Sequence, residues 1–205
     1  FLYSIIILNR IYSIKHFPFI NLFLLACIMF SFGSGPMFII WSLSEFSAMS
    51  SGSGRIIIAG IASVFFCYLT GNRVPNERII WIYCMFFGLI TLAIPFLLVP
   101  YSLTFISTSE LAIFLSSIPL FVLVLARIFL KEKITFKKWL GFFIGIIGLI
   151  ILSEPQNFNI ENSNELLASI LCIVISICLA SGGILLQNMP KNNPISFSTG
   201  SFLIA

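Results

Sequence analysis

The sequence predicts an all-α membrane protein, a polytopic bundle of helices that each cross the bilayer. Three observations support this prediction: long apolar runs, few charges, and lysine and arginine confined to every second loop. Hydrophobic residues make up 59% of the 205 positions and charged residues only 9%, against roughly 25% in soluble domains. The mean hydropathy is +1.11. A soluble core of this length could not bury so much apolar surface, whereas lipid solvates it.

Basic residues mark one side of the membrane, because their clusters precede the first apolar run and then follow every second run. The clusters are Arg10 with Lys15, Arg73 with Arg78, then Arg127, Lys131, Lys133, Lys137 and Lys138, and finally Lys191. The loops around Glu45, 102–109 and 153–165 contain neither residue type. Since cytoplasmic loops retain lysine and arginine, we expect a cytoplasmic N-terminus in a bacterial inner membrane. The net charge of +4 then indicates contact with the lipid bilayer and not with nucleic acid.

Six membrane spans are expected in order along the chain, at residues 19–41, 47–69, 79–99, 111–130, 136–152 and 166–186. Each approaches the roughly 20 residues that a helix needs to cross the hydrocarbon layer. A seventh begins near Pro194 and reaches the last residue, and the first residue is not methionine. The sequence is therefore expected to be a piece of a longer protein, with residues 1–18 as a cytoplasmic lead-in.

The first span contains a segment that weakens a helix, Ser31, Gly33, Ser34, Gly35 and Pro36. Proline removes a backbone donor, and broken helices in transporters expose backbone groups to a central cavity. The segment is therefore a candidate cavity lining. A tolerated kink without a ligand is the alternative.

The second span holds a charge within the membrane. Arg55 lies about 12 Å along this helix if the helix begins at Ser47. A charge near the bilayer centre costs about 3 kcal/mol on insertion scales, so its position indicates a function. Arg55 could pair with Glu110 or face a wet cavity and bind a carboxylate. It could also extend to the outer interface if the helix starts nearer Gly52.

The fourth span begins and bends at residues of interest. Glu110 opens it and is a candidate substrate or proton site, although carboxylates near the interface cost little. Pro119 lies in the middle of the span after Ser116 and Ser117, which predicts a kink. Ser116 and Pro119 are candidate cavity residues, with a ligand-free kink as the alternative.

The fifth span carries Gly141, Gly145 and Gly148 on one side, which predicts close helix packing. Thr135 is expected to cap its N-terminus. An acidic linker separates these five spans from the sixth, where Ser181-Gly182 repeats the pair Ser34-Gly35 of the first span. Because five is odd, a second five-helix unit would enter the membrane inverted.

No catalytic or metal-binding constellation is visible, so the sequence does not predict an enzyme, a cofactor or a metal. The chain has no aspartate and one histidine, His16. Its five cysteines lie inside apolar runs without a CxxC pair, where they behave as small hydrophobic residues. Phosphate-binding glycine motifs are also absent.

Short motifs between residues 101 and 152 occur in a familiar order. They are Tyr101-Ser102-Leu103, Ser107-Thr108-Ser109, Pro119-Leu120-Phe121, Lys131-Glu132-Lys133-Ile134-Thr135 and Trp139-Leu140-Gly141. Together they resemble the EamA repeat of the drug/metabolite transporter superfamily. Arg55 matches the arginine common in the second helix of that family. Phe32 replaces the usual tryptophan before Gly33, and Lys131 replaces the usual glycine before Glu132.

The resemblance implies a secondary carrier of ten helices in two inverted five-helix repeats. Residues 19–153 would form the first repeat, 154–165 an external linker, and 166–205 the start of the second. Such carriers move small metabolites by alternating access, often outward, with protons or exchange as the coupling. The substrate-binding candidates are Arg55, Glu110, Ser31, Gly33, Gly35, Ser116 and Pro119. A non-transporting scaffold or a lipid-handling membrane protein is the alternative.

Overall fold

A computed structural model describes residues 18–72, 74–75, 77–131, 136–152, 163–190 and 192–205. These ranges contain helices and no strand. The helices are α1 (Pro18–Leu43), α2 (Ala48–Leu69), α3 (Arg78–Ser102), α4 (Thr108–Phe129), α5 (Phe136–Leu152), α6 (Ser163–Asn188) and α7 (Pro194–Ile204). The predicted all-helical fold is confirmed, and each expected span coincides with a helix to within a few residues.

Five of the described helices, α1 to α4 and α6, are long and apolar enough to cross a membrane. The apolar parts of α5 and α7 are shorter, Trp139–Gly148 and Pro194–Ile204. The predicted capping residue Thr135 lies outside the described residues. The structure divides into two compact units, α1 with the turn up to Glu45, and the bundle of α2 to α7 from Phe46.

The α1 unit is a single helix of 26 residues that contains Pro36. The helix continues through the segment from Ser31 to Pro36 that the sequence predicts to weaken it, and the cavity-lining role of this segment stays a prediction. Proline deletes the hydrogen bond to the carbonyl four residues earlier, but its fixed φ is compatible with a helix, and membrane helices tolerate the loss.

In the α2–α7 unit, α3 lies at the centre and packs against α2, α6 and α7. Helix α6 also packs along α4, and α5 packs on the first half of α4. Where α3 meets α7, Ile80, Cys84 and Phe197 form a buried cluster. The rings of Phe87 and Phe197 meet edge to face there at 5.2 Å. This end of the bundle is consequently a well-packed apolar core.

Polar contacts also connect α7 to α2 and to the loop that follows α2. The hydroxyls of Ser63 and Thr199 lie 3.0 Å apart between α2 and α7. In the adjoining loops, the Asn193 amide donates to Asn72 Oδ1 at 2.5 Å. The Asn193 side chain also accepts from the backbone N–H of Ile195 and thereby caps α7. Helix α7 is thus held by its own cap and by two side-chain contacts.

A widened turn interrupts α3 in mid-span. Residues Gly88–Ala93 form a π-helix, in which the N–H of Ile94 bonds to the carbonyl of Leu89. The cause follows directly in the sequence, because Pro95 lacks an N–H and its ring crowds the carbonyl four residues earlier. A turn with one extra residue relieves that crowding.

The kink predicted at Pro119 is confirmed. Helix α4 consists of two segments, Thr108–Ser116 and Ile118–Phe129, separated at Ser117. Pro119 occupies the first turn of the second segment, where its missing N–H would have no intrahelical partner anyway.

Gly182 of α6 provides a test of this packing, because its neighbour Gly183 lies in open space. A Cβ on Gly182 would lie 2.6 Å from Thr91 Cγ2 and 3.3 Å from the Phe87 ring. We expect Gly182→Ala to destabilise the protein by about 1–3 kcal/mol through overpacking against α3. Gly183→Ala is the matched control and should be neutral or slightly stabilising. Chemical unfolding in detergent measures both, and equal effects would contradict the packing.

Candidate functional site

Arg55 lies within the membrane-spanning part of α2. The helix begins at Ala48, and its N-cap Ser47 accepts a hydrogen bond from the N–H of Ser50 at 3.3 Å. Arg55 therefore lies about 12 Å along the axis from the cap. The alternative of an interfacial arginine required the helix to start near Gly52. In the structure it starts four residues earlier, at Ala48.

The guanidinium of Arg55 lies over an aromatic ring. Its Cζ is 4.8 Å from the centroid of Phe96 on α3, and the side chain is partly buried. A cation over a ring face is attracted by the ring quadrupole, and this is worth about 0.5–2 kcal/mol depending on burial. Within the described ranges, this ring is the partner recorded for Arg55.

The two helices approach closely one turn before Arg55. A Cβ on Gly52 would lie 2.6 Å from the carbonyl oxygen of Phe96 and 3.1 Å from Leu97 Cα. Only glycine leaves room for this backbone contact. Ser51 beside it is buried, and its hydroxyl has no partner among the residues that the structure describes. The contact fixes the helix turn that carries Phe96 against the turn that carries Arg55.

Glu110 forms a capping box at the start of α4. Its carboxylate accepts from the backbone N–H of Ser107 at 2.7 Å and from the Ser107 hydroxyl at 2.9 Å. The Ser107 hydroxyl oxygen in turn accepts from the Glu110 N–H at 3.3 Å. The arrangement is structural, and the sequence analysis missed its signature, Ser-x-x-Glu before an apolar run. A role of Glu110 toward substrate or protons stays a prediction.

The kink in α4 is stabilised by serine hydroxyls. The Phe114 carbonyl accepts from the Ser117 hydroxyl at 2.5 Å and from Ser176 of α6 at 3.0 Å. The Ser116 hydroxyl donates to the Ile113 carbonyl at 2.6 Å. Hydroxyls of α4 itself and of the neighbouring α6 thus add hydrogen bonds to main-chain carbonyls beside the kink. The predicted cavity role of Ser116 and Pro119 remains a prediction.

Ser31, Gly33 and Gly35 lie on α1, within its own unit. The Ser34 hydroxyl donates to the Ser31 carbonyl at 3.3 Å. A groove of about 440 Å³ runs along this helix, lined by Phe30, Gly33, Ser34, Met37, Phe38 and Trp41. The groove is almost entirely apolar, so it offers shape and few polar groups to a ligand.

Of the three glycines predicted to pack in α5, Gly145 has a neighbour. Its Cβ position lies 3.1 Å from Leu120 Cδ2 of α4. Around Gly141 and Gly148, no atom of the described part lies within 4 Å. A packing role for these two stays a prediction.

Two features of the site were not predicted from the sequence. Phe96 as the partner of Arg55 depends on how α2 meets α3, and only Pro95 signalled that the helix was irregular there. Thr91 lies in the π-helix, is buried, and has a hydroxyl without a partner among the described residues. The described part contains no cluster of histidine, cysteine, aspartate and glutamate that could hold a metal ion.

Comparison with known sequences gives consistent results. Residues 19–154 match the EamA-like transporter family. An uncharacterized transporter of Archaeoglobus fulgidus is 32% identical over 100 residues, 49% of this chain and 34% of that protein. An S-adenosylmethionine uptake transporter of Rickettsia felis is 35% identical over 79 residues, 38% of this chain and 27% of that protein. The uncharacterized transporter YdfC of Bacillus subtilis is 27% identical over 99 residues, 48% of this chain and 32% of that protein.

The matched part of the chain therefore spans about a third of these relatives or less. No solved structure matches the chain at a significant level.

The capping box predicts how Glu110 responds to substitution. Glutamine can replace glutamate in this motif, so we expect Glu110→Gln to retain stability and activity. Glu110→Ala should cost about 0.5–1.5 kcal/mol, the usual net contribution of one hydrogen bond, because the Ser107 N–H loses its partner. Unfolding midpoints and transport rates test both variants. Loss of transport in Glu110→Gln at normal stability would instead give the carboxylate a role in transport.

Proposed function

The chain belongs to the EamA-like transporter family, and on that premise we propose that it forms part of a secondary carrier. The carrier moves a small organic metabolite across the membrane by alternating access, with protons or exchange as the coupling. Residues 19–153 form its first five-helix repeat, 154–165 an external linker, and 166–205 the start of an inverted second repeat. In this proposal the N-terminus lies in the cytoplasm, which the distribution of lysine and arginine supports, and the membrane is a bacterial inner membrane.

The observation that carries the proposal is the environment of Arg55. The arginine lies inside a membrane-spanning helix, and its recorded partner in the described structure is the ring of Phe96. A charge held at that depth is costly and marks substrate pathways in membrane proteins. The planar guanidinium matches a carboxylate with two parallel hydrogen bonds. We therefore assign Arg55 to the acidic group of the substrate.

The names of the relatives suggest a first substrate. Several matched proteins, including that of Rickettsia felis, are named S-adenosylmethionine uptake transporters. S-adenosylmethionine carries a carboxylate, which Arg55 could bind, and it is the compound to test first. The family resemblance implied export, whereas these relatives are named for uptake, so both directions of flux need measurement.

The remaining candidates are proposed to contact substrate, each within its own unit. Ser116 and Pro119 lie at the kink of α4, in the unit that contains Arg55, and Ser31, Gly33 and Gly35 lie on α1. In this proposal they contribute shape and backbone groups, and Arg55 supplies the charge. Glu110 is the proposed proton site only if its glutamine variant fails to transport.

The experiment measures transport by the full-length protein in proteoliposomes. We expect Arg55→Gln to reduce the flux of radiolabelled S-adenosylmethionine at least tenfold, because the lost charge-assisted bonds are worth about 1.5–3 kcal/mol. The flux of decarboxylated S-adenosylmethionine should be similar in the wild type and in Arg55→Gln, because this compound has no carboxylate for Arg55 to bind. Protein abundance in the membrane is measured in parallel.

Arg78→Gln is the matched control, because Arg78 is an exposed arginine at the end of a helix. It should transport as the wild type does. Normal flux in Arg55→Gln at normal abundance would contradict the proposed site. Misassembly of that variant would favour the membrane-scaffold alternative.

A further inference from the structure

We propose that Phe96 is a positioning residue for Arg55. Its ring holds the guanidinium by its face, so that the N–H groups stay available for the acidic group of the substrate. The inference rests on the proposed function of Arg55 and adds the residue that prepares Arg55 for binding.

The contact with Phe96 attracts the charge of Arg55 and leaves its hydrogen-bond donors free. The Arg55 Cζ lies 4.8 Å from the centroid of the Phe96 ring, within the distance at which a ring face attracts a cation. A phenyl ring attracts the charge but has no lone pair to accept the N–H groups. A carboxylate partner would occupy those donors and neutralise the charge. The ring therefore lowers the cost of the buried charge without occupying the hydrogen bonds that a substrate needs.

The backbones of α2 and α3 approach closely enough to bring the two side chains together. At Gly52, a Cβ would lie 2.6 Å from the Phe96 carbonyl oxygen. Arg55 follows Gly52 by three residues, so both lie on neighbouring parts of one helix face. Any larger residue at position 52 would separate the two helices where the ring meets the guanidinium.

The irregular turn of α3 sets the direction of the Phe96 side chain. The π-helix Gly88–Ala93 ends three residues before Phe96 and adds one residue to the helix. One residue corresponds to a rotation of about 100° in an α-helix. The direction in which the Phe96 side chain projects from α3 therefore depends on this turn and on Pro95, which causes the turn. The same irregularity that breaks the helix directs the ring toward α2.

The direct test observes the contact by nuclear magnetic resonance of the full-length protein in detergent, with isotope-labelled arginine. The Arg55 signal is assigned by its loss in Arg55→Lys. We expect it to show an upfield ring-current shift that disappears in Phe96→Leu and persists in Phe96→Tyr. An unshifted Arg55 signal in the wild type would overturn the proposal, whatever the substrate is.

The functional test uses proteoliposomes and S-adenosylmethionine. Phe96→Leu should raise the KM roughly tenfold, the effect of losing a desolvated cation–π contact, with the maximal rate and abundance near wild type. Phe96→Tyr should restore the KM, because it keeps an aromatic face. Phe105→Leu is the control, since Phe105 pairs with Tyr101 at 5.4 Å, and it should leave the KM unchanged.

The double variant separates the two proposals. If Phe96 acts through Arg55, Phe96→Leu adds no further loss in an Arg55→Gln background. Normal transport by Arg55→Gln would refute the proposed site itself. A strong defect in Arg55→Gln with an unchanged KM in Phe96→Leu would overturn only the positioning role. Gly52→Ala, which keeps both side chains, should raise the KM and weaken the ring-current shift.

Discussion

Inside a bilayer every backbone N–H and C=O group must find a partner within the protein, and the arrangement of these helices depends on that requirement. Two prolines in the α2–α7 unit break the regular pattern. At Pro119 the α4 chain separates at Ser117, so that the proline falls in the first turn of the second segment, where its missing N–H has no intrahelical partner. At Pro95 the α3 chain instead widens into a π-helix. Both helices thus accommodate the proline by a change in their own backbone.

The widened turn of α3 connects the fold to the proposed site. This turn precedes Phe96, and the ring of Phe96 lies against the guanidinium of Arg55. Gly52 allows the two helices to meet at this level. Gly52, Pro95 and Phe96 thus together determine the position of the Arg55 side chain in the membrane. None of them has polar side-chain chemistry of its own, so the charge of the proposed site comes from the arginine alone.

The sequence predicted the helices well, because hydropathy and charge act locally along the chain. The kink at Pro119 was also predicted, from the proline and its serines. At Pro36 a similar segment leaves the helix continuous, because the fixed φ of proline fits a helix and a membrane helix tolerates the loss of one hydrogen bond. The spacing of Ser107 and Glu110 before an apolar run predicts the capping role of Glu110, and this signal was overlooked. The partner of Arg55 could not be predicted, because it depends on the packing of α2 on α3.

The central claim is that Arg55 lies on the substrate path, which water must reach. Its most direct test is the reaction of a cysteine at position 55 with a charged, membrane-impermeant thiol reagent, after the native cysteines of the full-length protein are replaced. Ile57, which is 60% exposed and lies two residues further along the same helix on its opposite side, provides the comparison at a surface expected to face lipid. We expect a cysteine at 55 to react and a cysteine at 57 not to react. An unreactive position 55, or equal reactivity at both, would contradict the claim.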